Sequence, residues 1–163
     1  MKLHHVALAV GLAALVGWAA GCGEKNPPVA QTPTANKHED RPPHGGTALA
    51  LGNEDYQLEL VLDKTNGIMN AYLLDGEMEN FVRIPAESFA VTAKLPAGTE
   101  VLDFKSVANR ATGETAGDTS MFSAQADWLK SVSSFDGSLK ELTVKGSTYT
   151  NVTFNFPKGN GAK

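Results

Sequence analysis

The chain has 163 residues, with 14 Lys and Arg against 18 Asp and Glu, and a single Cys. That length holds one modest domain with extensions rather than two full domains. A net charge of −4 offers no electrostatic advantage on nucleic acid, so no nucleic-acid partner is expected. One Cys excludes an internal disulfide and a Cys-built zinc cage, leaving an apolar core as the source of stability.

Residues 1–21 read as a signal peptide. Lys2 gives a charged start, and the apolar run at 6–20 follows. As a helix that run would span about 22 Å, short of the ~30 Å hydrocarbon core. Small residues, Ala19-Ala20-Gly21, then lead directly to Cys22. The pattern resembles the bacterial lipobox, which implies cleavage before Cys22 and its lipidation. An unpaired thiol in an oxidising compartment is a liability, which also favours the lipid reading. More than one acyl chain gives stable membrane anchoring. Loss of Lys2 lowers 14 basic side chains to 13 and moves the net charge from −4 to −5. Gly23 after the Cys, rather than Asp, resembles the sorting pattern of outer-membrane lipoproteins. The implied location is the bacterial cell envelope, facing the periplasm or the surface, with the outer membrane favoured.

Residues 22–43 read as the lipidated Cys and a disordered tether. Pro27, Pro28, Pro33, Pro42 and Pro43 are spaced by polar residues, with too little apolar surface to offset ordering entropy. Fully extended, some twenty such residues reach roughly 60 Å.

From His44 short β-favouring runs alternate with turn signals. Thr47–Leu51 is a first strand. In Tyr56–Asp63 the alternation puts Tyr56, Leu58, Leu60 and Leu62 on one face and Gln57, Glu59 and Asp63 on the other. Asn66-Gly67 is a hairpin turn returning through 68–74. Strands follow at 81–84, stopped by Pro85, at Ser88–Leu95, and at 101–107 after a turn at Pro96-Ala97-Gly98. Residues 109–120 are a polar loop. Residues 121–130 are ambiguous and are read as a short strand near Phe122 and one helical turn through Ala126–Leu129. Asp136-Gly137 is read as a turn opening a last hairpin, 138–144 with Ser147–Phe156, and 158–163 as a frayed tail. Seven to nine short strands with almost no helix predict a single all-β domain over 44–157, a β-sandwich of Ig-like type or a small barrel.

Candidate chemistry is sparse. The segment Lys37-His38-Glu39-Asp40-Arg41-Pro42-Pro43-His44-Gly45-Gly46 places two imidazoles near carboxylates, so His38, Asp40 and His44 are candidate ligands for Cu(II) or Zn(II). Against this stands a solvated polar linker ending in a Gly45-Gly46 turn, with no cofactor. Glu54, Asp55, Glu77 and Glu79 sit in turns, where acids are normally solvated. No Ser lies in Gly-x-Ser-x-Gly, and no other His follows His44 to act as base, so no catalytic residues and no enzyme are expected. Gly45-Gly46 and Gly113–Gly117 lack the lysine and strand–turn–helix context of a phosphate cradle. Trp128, Phe122, Leu129 and Phe135 form either an aromatic binding patch or, the favoured reading, core packing.

Pro43-His44-Gly45-Gly46, the strand Tyr56–Asp63, Tyr72-Leu73-Leu74-Asp75-Gly76, Val82-Arg83-Ile84 and the stretches 111–120 and 139–156 together resemble a group of small uncharacterised bacterial envelope lipoproteins. The resemblance covers most of the folded region. The His-Gly-Gly lead-in and the Leu58-Glu59-Leu60 strand are also similar, over some forty residues, to the segment before the core of heavy-metal efflux adaptor proteins. That second likeness implies a metal role, carried onto His44 alone. The expectation is a non-enzymatic, lipid-anchored binding or accessory module with an envelope protein partner, the alternative being a periplasmic Cu or Zn binding or efflux-accessory protein.

Overall fold

The computed structural model describes residues 41–161. The signal peptide, Cys22 and the tether as far as residue 40, including His38 and Asp40, lie outside the described residues. Eight strands follow in order: β1 (Thr47–Leu51), β2 (Tyr56–Asp63), β3 (Ile68–Asp75), β4 (Ser88–Leu95), β5 (Gly98–Ser106), β6 (Met121–Gln125), β7 (Phe135–Val144) and β8 (Ser147–Phe156). One 3-10 turn, Asp127–Lys130, is the helical content among the described residues. None of their helices is long and apolar enough to cross a membrane.

All eight strands belong to one antiparallel sheet, ordered β1-β2-β3-β6-β5-β4-β7-β8. The sheet curls until its edge strands β1 and β8 come near one another without pairing, so the domain is all-β and barrel-like. The strand number falls within the expected seven to nine, and the small barrel is the form adopted. Inward residues follow the two-residue period: Leu49, Leu58 and Leu73 lie level across β1, β2 and β3, and all three are fully buried. Rings fill the other half of the interior. Phe89 stacks on Phe104 with centroids 4.8 Å apart and meets Phe122 edge-on, while Phe135 stacks on Phe156. Each such side chain contributes about 1.5–3 kcal/mol on full burial.

The β2–β3 hairpin forms with the register Tyr56↔Asp75 through Asp63↔Ile68. Asp63 caps the turn by accepting bonds from the backbone N–H and side-chain amide of Asn66. Other boundaries differ from expectation. Residues 81–84 make two isolated bridges, Leu74↔Phe81 and Ile84↔Thr119, rather than a strand. Both readings of 121–130 hold, as β6 and the 3-10 turn. Asp136-Gly137 lies inside β7 instead of forming a turn. The reason is packing: the ring of Phe154 sits where a Cβ on Gly137 would be, so glycine here makes room for an aromatic neighbour.

The chain end is also placed differently from a frayed tail. After β8 it doubles back, and Asn155 and Gly159 exchange backbone hydrogen bonds. The Asn160 side chain then accepts from the Ala50 N–H at 2.8 Å and donates to the Ala50 carbonyl at 3.0 Å. One amide side chain thus does for β1 what a neighbouring strand would, and the Thr47 hydroxyl donates to the Pro157 carbonyl at the same seam. The barrel closes on this stub.

Asn160→Ala should therefore lower stability by about 1–2 kcal/mol, two modest hydrogen bonds. Urea unfolding measures the loss, and hydrogen exchange should quicken first at Ala50.

Candidate functional site

The segment before β1 folds back over the outer wall of the barrel and encloses Glu59. That side chain stands mid-strand on the outward face of β2, as alternation predicts, yet it is fully buried. A buried carboxylate is tolerable only when its lone pairs are met. Oε1 accepts from the His44 N–H at 2.9 Å and the Gly46 N–H at 2.8 Å, and Oε2 lies 2.8 Å from His44 Nδ1. The two glycines make the wrap possible. Gly45 takes φ +69° and donates to the Pro42 carbonyl, while a Cβ on Gly46 would fall 2.5 Å from the Leu60 carbonyl oxygen. His-Gly-Gly is thus a cradle for the protein's own Glu59.

A carboxylate only accepts, so the proton of the contact belongs to His44 Nδ1, which leaves Nε2 as the ring's remaining polar atom. The imidazole stacks on Tyr72, with centroids 3.9 Å apart and planes 17° off parallel. Tyr72 pairs with Glu59 across β2 and β3. Burial of the phenol, and then the Glu59 charge, raise its pKa above the ordinary tyrosine value. Phe81 completes a three-ring group, 5.8 Å from His44 and 6.3 Å from Tyr72, and is 51 % exposed.

The opposite wall comes from Arg83 and the loop between β5 and β6. Arg83 Nη2 donates to the Gly113 and Asp118 carbonyls and to the Asp118 carboxylate at 2.7 Å. Glu114 is buried beneath. Its Oε1 accepts from the Ser120 N–H and hydroxyl, and its Oε2 from the Thr112 hydroxyl. Burial alone would raise the Glu114 pKa, but the bonds from Ser120 and Thr112, with the Arg83 charge, outweigh it and hold the carboxyl below its ordinary range. The recess so framed has a volume of about 260 Å³, with His44, Tyr72, Phe81, Arg83, Glu114 and Met121 among its walls. Larger hollows of about 560 and 490 Å³ elsewhere on the barrel are bounded mainly by Thr, Ser, Gly and exposed charged residues.

Of the candidate metal ligands His38, Asp40 and His44, only His44 is among the described residues, where no group of three or more His, Cys, Asp or Glu side chains is placed to hold an ion. Trp128, Phe122, Leu129 and Phe135 lie in or against the core, with Trp128 edge-on to Phe135 at 5.5 Å, so they form no surface patch. His44, a candidate from the sequence, lies in the wall of this recess, whereas Glu59, Tyr72, Phe81, Arg83 and Glu114, which surround it, were not singled out as candidates. The available signal was Glu59 itself, an acid inside the aliphatic run Leu58-Glu59-Leu60 just downstream of His-Gly-Gly.

No protein-family model, no curated protein and no solved structure matches the chain.

Because the folded-state pKa of Glu114 is depressed, its contribution to stability is present above the unfolded carboxylate pKa, about 4.3. It is lost as pH falls through the lower folded value. Asp63, Asp75 and Asp127 are depressed as well and act in the same direction. Glu114→Gln should be less stable than the parent at neutral pH, with the difference narrowing on acidification. Urea midpoints between about pH 7 and pH 3 give that comparison.

Proposed function

We propose that the barrel is a lipid-anchored, non-enzymatic binding module of the bacterial cell envelope, and that it takes a protein partner at the His44–Tyr72–Phe81 recess. One observation carries the reading: a large aromatic side chain, Phe81, is half exposed beside an imidazole held in one orientation by a buried carboxylate. Exposed aromatics at a recess edge are the anchors that protein interfaces use. The non-enzymatic part has its own support. Ser120, the serine lining the recess, spends its hydroxyl on Glu114 rather than on His44. The lipid anchor at Cys22 rests on the resemblance of residues 19–22 to a lipobox.

A photo-crosslinking residue at position 81 in intact cells should capture a discrete partner, and the same residue at Val101, exposed on β5, should not. Matching adducts at both positions would reject the recess as the contact. Cys22→Ser should move the protein from the membrane to the soluble fraction, and retention at the membrane would reject the anchor.

A second reading, Cu(II) or Zn(II) binding, is favoured by the contact between Glu59 and His44 Nδ1, since metal-binding imidazoles are commonly oriented by a carboxylate on the other nitrogen. His38 and Asp40 would have to supply the remaining donors. Calorimetry of the full chain in detergent at about 50 μM should then give micromolar binding that His38→Ala with His44→Ala abolishes. Absence of heat would dismiss the metal.

A further inference from the structure

The residue that closes the barrel carries chemistry of its own. We propose that Asn160 is a site of spontaneous deamidation, and that its conversion opens the β1–β8 seam in one direction only. The reaction consumes water and needs no enzyme, and it is independent of what the recess binds.

The sequence holds two Asn-Gly pairs, Asn66-Gly67 and Asn160-Gly161. An asparagine before glycine cyclises most readily, because no side chain obstructs the following backbone nitrogen and that residue moves freely. The Gly161 nitrogen gives up its proton and bonds to Asn160 Cγ, the Cγ–Nδ2 bond breaks, and Nδ2 leaves as ammonia. Water then opens the cyclic imide at either carbonyl, yielding aspartate or isoaspartate. Nothing is oxidised or reduced, and the loss of ammonia makes the change permanent.

The fold separates the two pairs. Gly67 is buried and its carbonyl accepts from the Ala126 N–H, while Asn66 gives its N–H and its side-chain amide to Asp63. That pair closes the β2–β3 hairpin, whose strands match over eight residue pairs, so it opens only with a larger unit. Asn160 and Gly161 are exposed, and a Cβ on Gly161 would meet nothing within 4 Å. No hydrogen bond holds Gly161 among the described residues. The Asn160 side chain is held by its two bonds to Ala50 alone, so its release is local. The consequence falls on the same contact. A carboxylate keeps the acceptor that meets the Ala50 N–H but removes the donor that meets the Ala50 carbonyl, leaving oxygen against oxygen. Isoaspartate in addition reroutes the backbone through Cβ and draws the side chain away from β1.

The test incubates the full chain in detergent micelles at mildly alkaline pH, both folded and unfolded in guanidinium. Tryptic cleavage after Lys64 and after Lys158 puts the two pairs on separate peptides, whose masses report deamidation. In the folded protein Asn160 should convert about fivefold or more faster than Asn66, and in guanidinium the two rates should come within about twofold of each other. Converted protein should exchange the Ala50 N–H faster than fresh protein, and Asn160→Asp should do so from the start. Gly161→Ala, placed in open space, should keep the parent's urea midpoint and slow conversion about tenfold or more. Conversion at Asn160 no faster than at Asn66 in the folded protein would overturn the site, and the same preference in guanidinium would overturn the part played by the fold. Conversion that leaves Ala50 exchange unchanged would overturn the opening of the seam.

Discussion

A fully buried carboxylate on the outside of a barrel wall is an expensive object, and the polypeptide before β1 is arranged to satisfy Glu59. Two backbone N–H groups and one imidazole nitrogen converge on it, and each brings a constraint. The N–H groups draw residues 44–46 flat against β2, which only glycine at position 46 allows. The ring contact fixes the orientation of His44, whose face lies on Tyr72. Loss of the carboxylate would leave buried donors unpaired, at about 1–3 kcal/mol each. The same three contacts that hold the segment down also build one wall of the recess.

The facing wall repeats the device with a second carboxylate. Glu114 organises the β5–β6 loop from within by accepting from Thr112 and Ser120, and Arg83 ties that loop to the segment before β4. Both walls are therefore set by hydrogen-bonded acids that are themselves nearly or fully hidden. What lines the recess is a group of rings beside Arg83, with Glu114 beneath.

The barrel beneath is held less uniformly than its eight strands suggest. β7 and β8 pair over nine residue pairs, whereas β5 and β6 share two, Lys105↔Ser123 and Ser106↔Phe122. Near that thin joint the bridge Ile84↔Thr119 and the bond from the Leu73 N–H to the Ser120 carbonyl supply pairing that the strands do not. At the β1–β8 seam a single asparagine side chain stands in for a ladder. The recess opens beside the first of these joints, where irregular backbone rather than continuous strand forms the surface.

Local pattern in the sequence was enough for the all-β class, the β2–β3 hairpin, the inward pair Leu58 and Leu60, and the core role of Phe122 and Phe135. These depend on period-two alternation and on turn residues such as Asn66-Gly67, whose physics is confined to a few neighbouring positions. Three features needed the tertiary structure. Gly137 reads as a turn until Phe154, seventeen residues on, is seen to occupy its missing side-chain space. Asn160 reads as tail until the curled sheet brings it against Ala50. Glu59 reads as a solvated face until His44, fifteen residues back, folds over it. In each case the deciding partner is distant in the chain, and alternation says which way a side chain points but not what covers it.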